Sequence, residues 1–360
     1  MTSIKDFYRN RRVFITGHTG FKGSWLCEVL LNFGAQVAGF ALNPQDNANL
    51  FDILGLADRV QHFTGDIRDA ETLKSAVKSF MPEIVIHMAA QPLVLESYRQ
   101  PAYTYDVNVM GTVNILEAVR ACESVKSFLN VTTDKVYMNR EWVYGYRENE
   151  RLCGYDPYSN SKSCSELVTY SYRNSFFQHE DSPAISTARS GNVIGGGDFA
   201  ENRIIPDCMR SALKGENITL RNPSSVRPYQ HVLECLSGYL LLAMKQHQDK
   251  AAYEGSYNFG PDEDSCVTTQ TLAEIFCSAW GGTTRPEVPD SQGTKPHEAN
   301  ILKLDCAKAK AVLGWLPQWG ISQAVEESAN WLKVYADGGD VRSYMDNVIA
   351  SRNWTLTGGR

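Results

Sequence analysis

The sequence has no Cys-x-x-Cys pair and no histidine cluster at ligand spacing, although nine cysteines are scattered singly between Cys27 and Cys306. Neither a zinc site nor a disulfide framework is indicated, and no metal is expected. No apolar run approaches the about 18 residues of a membrane span, and Met1 to Arg12 lacks the apolar core of a signal peptide. A reducing cytoplasm is the expected location. Positive charge is in short supply: 35 Lys and Arg against 41 Asp and Glu leave a formal net charge of -6. That balance speaks against a nucleic-acid binder, so an anionic ligand has to be held by local basic groups and backbone donors. Internal repeats and low-complexity segments are absent as well.

What is present is ordinary globular material, 43% hydrophobic and 21% charged over 360 residues. That length is long for one core and suits two unequal lobes sharing a site. Short β-branched runs alternate with longer amphipathic ones. Val13-Phe14-Ile15 leads to a helical pattern from Phe21 to Phe33, then Gln36 to Phe40. Glu83 to His87 and Ser127 to Thr132 read as further buried strands, with a helix from Gly111 to Cys122 between them and a long one from Tyr158 to about Phe177. This rhythm predicts an α/β fold, a Rossmann-type doubly wound parallel sheet with a smaller α/β C-terminal lobe. The expected division is 1–188, with 229–255 returning to it, against 189–228 and 256–360 for the substrate lobe.

Thr16-Gly17-His18-Thr19-Gly20-Phe21-Lys22-Gly23 follows the first strand and opens the first helix. Gly17, Gly20 and Gly23 permit a tight turn, close approach of backbone to a pyrophosphate and close helix–strand packing; the helix start supplies unpaired N–H donors. Asp66 and Ile67 after the third strand are placed to meet an adenine, and the small Ala89-Ala90 after the fourth leaves room for a cofactor. The second strand ends in Phe40-Ala41-Leu42-Asn43 with no acid until Asp46, which leaves NAD against NADP open.

Tyr158 and Lys162 lie four apart, on one helical face. An ammonium beside a phenol lowers its pKa from about 10 and makes it a base for a hydroxyl whose carbon loses hydride. Thr132-Thr133-Asp134-Lys135 closes the fifth strand, at the edge where such sheets hold ligands; spacing alone fits a solvated Asp–Lys pair in a turn better. Arg203, Arg221 and Arg227 suit a diphosphate or simple solubility equally. Trp142 to Tyr146 suits a lid or packing.

With these residues in hand, the chain resembles the extended short-chain dehydrogenase/reductase superfamily and, within it, the CDP-glucose 4,6-dehydratases. The similarity runs from about Arg12 to Trp319. It includes Gly17 to Trp25, His87 to Pro92, Asn108 to Thr112, Asn139 to Asn149, Tyr155 to Lys162, Gly191 to Asp198, Arg227-Pro228, Gln230 to Val232 and Pro296 to Ala299. Val136 and Tyr144 depart from the cysteine and tryptophan expected there, while Lys135 separates the chain from dehydratases that place a glutamate at that position.

The resemblance implies NAD as cofactor, held by Gly17, Thr19, Gly20, Phe21, Lys22, Gly23, Asp66, Ile67, Ala89, Ala90, Asn108, Thr132, Tyr158 and Lys162. It implies CDP-glucose as substrate, with Asn192, Arg203, Arg221, Arg227 and His297 contacting it. Tyr158, aided by Lys162, would deprotonate the C4 hydroxyl as hydride leaves, with Thr133 bonded to that oxygen. Lys135 would then remove the C5 proton while Asp134 protonates the departing C6 hydroxyl. Hydride return to C6 gives a 4-keto-6-deoxy sugar nucleotide for deoxysugar biosynthesis. A homodimer or homotetramer through the Gly111 and Tyr158 helices is also implied. The rivals are another nucleotide-sugar 4,6-dehydratase, a nucleotide-sugar 4-epimerase, which needs no Asp134–Lys135 pair, and a non-catalytic NAD sensor, which needs no Tyr158–Lys162 pair.

Overall fold

Residue alternation in the first strand already dictates a sheet covered on both faces. Val13 and Ile15 join one apolar cluster and Phe14 the other, as a two-residue side-chain period requires. The computed structural model describes residues 3–44, 48–288 and 300–355. Its centre is a seven-stranded parallel sheet. Six strands follow one another along the chain up to Arg189: β1 Arg12–Thr16, β2 Gln36–Ala41, β3 Gln61–Thr64, β4 Ile84–His87, β5 Ser127–Val131 and β6 Ala184–Arg189. The order is β3-β2-β1-β4-β5-β6, with Ser256–Asn258 added outside β6. Strand order reverses between β1 and β4, the crevice where ligands bind in such sheets.

Two helices next to the sheet set the site. Phe21–Asn32 begins at Gly20 without a side-chain cap. Pro157–Phe176 is capped by Asp156, which accepts from the Ser159 N–H at 2.9 Å, and has a proline in its first turn. Val232–Gln248 packs on the same face of the sheet as Phe21–Asn32, opposite Pro157–Phe176: Gln246 donates to the Ser127 hydroxyl at 2.7 Å and the Phe128 carbonyl at 3.1 Å, and Tyr8 donates to the Leu240 carbonyl at 2.8 Å.

Two segments lie outside the lobe expected for them. Ser256–Asn258 pairs with β6 from Thr187 to Arg189. The helix Val341–Ser351 packs on the cofactor-side helix, with Asn32 donating to Asp346 at 2.7 Å and Trp354 stacked edge-on to Phe33. Its apolar residues Met345, Val348 and Ile349 are buried in the same cluster as Trp25 and Leu30, so burial area draws the chain back to the first lobe.

Candidate active site

The carboxyl ends of β1, β3, β4, β5 and β6 open into one cleft of about 1800 Å³. That exceeds the roughly 300–1,000 Å³ of a pocket for one small molecule and leaves room for a dinucleotide and a second ligand. Gly17, Thr19, Gly20, Phe21, Lys22 and Gly23 line its floor. Gly17 has a φ of +75° and its missing Cβ would stand 2.7 Å from the Ala89 nitrogen; a Cβ on Gly23 would be 2.3 Å from the Gly17 carbonyl oxygen. Gly20 is different, since a Cβ there would meet only that same oxygen at 3.5 Å. Two glycines are thus demanded by packing, and the third leaves the uncapped helix start bare toward the cleft.

Asp66, Ile67, Ala89 and Ala90 also line the cleft. Asp66 accepts from Arg68 at 2.7 Å, which holds its carboxyl below the usual range. Asn43, at the second strand's end, accepts from the Thr64 hydroxyl at 3.2 Å. Asn108 does not line the cleft. It is buried in the wide helical turn Asp106–Met110, where it accepts from the Gln91 N–H at 2.8 Å and donates to the Gln91 carbonyl at 3.1 Å and the Ser161 hydroxyl at 2.9 Å. These hydrogen bonds tie the β4 loop to the Tyr158 helix, so Asn108 braces the cleft from behind.

Thr132, Thr133, Asp134 and Lys135 leave the end of β5 and meet Tyr158 and Lys162 across the cleft. Asp134 is 1% exposed. Its Oδ1 accepts from the Thr133 hydroxyl at 3.0 Å, and its Oδ2 is buried with no hydrogen-bond partner among the described residues. Burial raises its pKa, against the pull of Lys135, Thr133 and Arg227.

The two members of the Tyr158–Lys162 pair shift in opposite directions. Burial pushes Tyr158 up to about 12, with the Thr133 hydroxyl and the Arg203 charge opposing. Lys162 instead donates to the Val131 carbonyl at 3.2 Å, and burial plus the nearby Lys22 bring it down to about 8. In the protein alone, loss of solvation at Tyr158 outweighs the Thr133 hydroxyl and the Arg203 charge.

Asn192, Arg203, Arg221 and Arg227 line the outer part of the cleft. Asn192 sits at φ 40° with its Oδ1 buried and without a hydrogen-bond partner among the described residues. Arg203 pairs with Asp198 at 2.9 Å, Arg221 reaches Asp207 at 3.1 Å, and Arg227, 4% exposed, donates to the Val226 and Asn300 carbonyls. His297 lies outside the described residues, as does Asp46. The aromatic stretch divides: Tyr146 is buried between Tyr137 and Trp142, whereas Val143 and Tyr144 are exposed.

Sequence reasoning missed Gly191, Ser190 and Tyr239. Lys22 donates to the Tyr239 hydroxyl at 3.0 Å and the Ser190 hydroxyl at 3.4 Å, contacts spanning 217 and 168 positions that no local pattern encodes. Gly191, just past the end of β6, was readable as a glycine at a parallel-strand terminus.

A profile of the GDP-mannose 4,6 dehydratase family matches residues 14–328. The chain is also 47% identical over 341 residues to a CDP-glucose 4,6-dehydratase of Salmonella typhimurium, covering 94% of each. The chain belongs to the CDP-glucose 4,6-dehydratase family. Among solved structures, this family member is similar to a Thermus thermophilus UDP-glucose 4-epimerase in complex with NAD, with a TM-score of 0.75 and 26% identity over 89% of this chain and 99% of that one. A Bacillus anthracis dTDP-glucose 4,6-dehydratase in complex with NAD has a TM-score of 0.73 and 21% identity, covering 92% and 99%, and shares the fold. Among the described residues no helix is long and apolar enough to cross a membrane, and no group of His, Cys, Asp and Glu could hold a metal ion.

Proposed function

We propose that the protein dehydrates CDP-glucose to its 4-keto-6-deoxy form with NAD as recycled cofactor. The observation that carries this reading is the shared cleft of Tyr158, Asp134 and Lys135, with Asp134 buried and its Oδ2 unspent. An epimerase or a cofactor sensor has no use for that pair.

The bare glycine floor and uncapped helix start fit a dinucleotide, which Gly17, Thr19, Gly20 to Gly23, Asp66, Ile67, Ala89, Ala90, Thr132, Tyr158 and Lys162 would hold. When bound, NAD supplies a reversible hydride acceptor and a positive charge that favours the Tyr158 phenolate. Tyr158 takes the C4 hydroxyl proton, with the Thr133 hydroxyl donating to that oxygen. The resulting ketone acidifies the C5 proton, which Lys135 removes. Asp134, whose burial favours the protonated form, donates to the leaving C6 oxygen. Asn192, Arg203, Arg221 and Arg227 hold the nucleotide diphosphate.

Such a product suits deoxysugar biosynthesis, including that of lipopolysaccharide O-antigen, in the cytoplasm. Self-association through Gly111–Arg120 and Pro157–Phe176 belongs to the same reading. Leu167, Tyr170 and Phe176 on the second helix are 54%, 61% and 44% exposed, and a two-fold contact would cover them. Incubation with CDP-glucose, dTDP-glucose and GDP-mannose tests the proposal. A 4-keto product from CDP-glucose is expected, and exclusive use of another nucleotide sugar would overturn the substrate.

A further inference from the structure

The turn that carries Asp134 and Lys135 begins at Thr132 and ends at Tyr137, and both ends are tied to one buried ion pair. Glu166 stands on the Pro157–Phe176 helix one turn beyond Lys162, and Arg189 ends β6; their side chains are 2% and 3% exposed. Glu166 Oε1 accepts from the Thr132 hydroxyl and from Arg189 Nε at 2.9 Å. Its Oε2 accepts from Arg189 Nη2 at 2.8 Å and the Thr187 hydroxyl at 2.7 Å. The remaining arm of the guanidinium, Nη1, donates to the Tyr137 hydroxyl at 2.8 Å and the Glu148 carbonyl at 2.9 Å. Tyr137 in turn donates to Asn258 at 2.7 Å and stacks on Tyr146 with ring centres 5.4 Å apart.

Between these anchors the backbone is fixed once more, where the Val136 carbonyl accepts from the Cys153 N–H at 2.9 Å and the Ser163 hydroxyl at 2.7 Å. Burial works against the Glu166 carboxylate, but the Arg189 charge and the hydrogen bonds from Arg189, Thr132 and Thr187 hold its pKa below the usual range. A buried ion pair is a poor source of net stability, because apolar residues of similar volume often do as well. What it does provide is direction: each arm of the guanidinium and each carboxylate oxygen has a fixed partner.

We propose that Glu166 and Arg189 form a clamp that positions Asp134 and Lys135 for elimination, through Thr132 at one end of the turn and Tyr137 at the other; this rests on the dehydratase reading above. Glu166 and Arg189 are positioning residues. Tyr158 shares the Glu166 helix but sits in its first turn, which the Asp156 cap fixes independently of the ion pair, so loosening the Thr132 and Tyr137 ends of the turn should burden the C5–C6 elimination more than the C4 oxidation.

The test compares Tyr137→Phe and Glu166→Gln with wild type, each loaded with NAD and mixed with CDP-glucose. Tyr137→Phe keeps the ring stack and removes only the hydroxyl that links Arg189 to Asn258, so it serves if Glu166→Gln does not fold. Cofactor reduction in the first turnover is followed near about 340 nm, and the 4-keto product is measured separately. First-turnover reduction should stay within about twofold of wild type while steady turnover falls about tenfold, with reduced cofactor accumulating and KM unchanged. A purely structural role would lower the melting temperature and the active fraction but leave the ratio of the two rates at its wild-type value. That unchanged ratio, in a wild type that turns over, overturns the clamp alone. A wild type that forms no 4-keto product overturns the reaction reading and the clamp with it.

Discussion

The Asp134 carboxyl lies against the bare α-carbon of Gly191: a Cβ built there would stand 1.8 Å from Oδ2 and 2.1 Å from Cγ. No rotation of an alanine methyl relieves that overlap, so Gly191→Ala has to move the carboxyl or the strand end. We predict a loss of turnover of about a hundredfold, since small misplacements at a reacting centre cost that much. NAD affinity should change little, because the glycine floor at Gly17 to Gly23 is untouched. Near-normal turnover in Gly191→Ala would show that the position of Asp134 is not critical.

Tyr158→Phe deletes one hydroxyl at the edge of the cleft and leaves the helix cap at Asp156 intact. Turnover should fall at least about a hundredfold while the circular dichroism spectrum stays that of the wild type. Retained turnover would remove Tyr158 from the mechanism.

Lys162 offers a test by pH. Its folded value is about 8 against an ordinary 10.5, so between these values the unfolded chain binds a proton that the folded protein does not. Stability from this group therefore rises with pH from about 8 to 10.5, and below 8 the folded protein bears the full burden of the buried charge. In cofactor-free protein, Lys162→Met should compare more favourably with wild type at pH 7 than at pH 10 in thermal melts. Parallel pH profiles for the two proteins would contradict the buried-ammonium assignment.

If Leu167, Tyr170 and Phe176 are covered by a second copy, light scattering at micromolar concentration should report a dimer or larger. Replacing Leu167 and Tyr170 by charged residues should shift it toward monomer. A wild-type monomer would count against this surface as an interface.

Much of this arrangement was legible in the sequence because it is local. The glycine loop, β1 to β5 and the long helix from Tyr158 are contiguous segments whose period and punctuation reveal them. Ser256–Asn258 was not legible, since three residues carry no period and its place outside β6 is fixed by pairing with Thr187 to Arg189. The return of Val341–Ser351 to the first lobe likewise depends on packing against Trp25 and Leu30. Within the site, Tyr158 was named from its spacing to Lys162, whereas Asp134 and Lys135 took their roles only from the family resemblance. The bonds of Asn108 to Gln91 and Ser161 were not legible, because its motif does not reveal which loop and helix fold against it. The burial that raises the Tyr158 pKa in the protein alone was not legible either, because spacing gives proximity but not burial.

The adjacent acid and base are the heart of the account, and Lys135→Met tests them most directly. With NAD and CDP-glucose, this variant should oxidise C4 and then stall. Absorbance near about 340 nm should build toward one equivalent per site, and solvent deuterium should fail to enter C5. Rapid formation of 4-keto product carrying solvent deuterium at C5 would show that another residue is the base and would contradict the account.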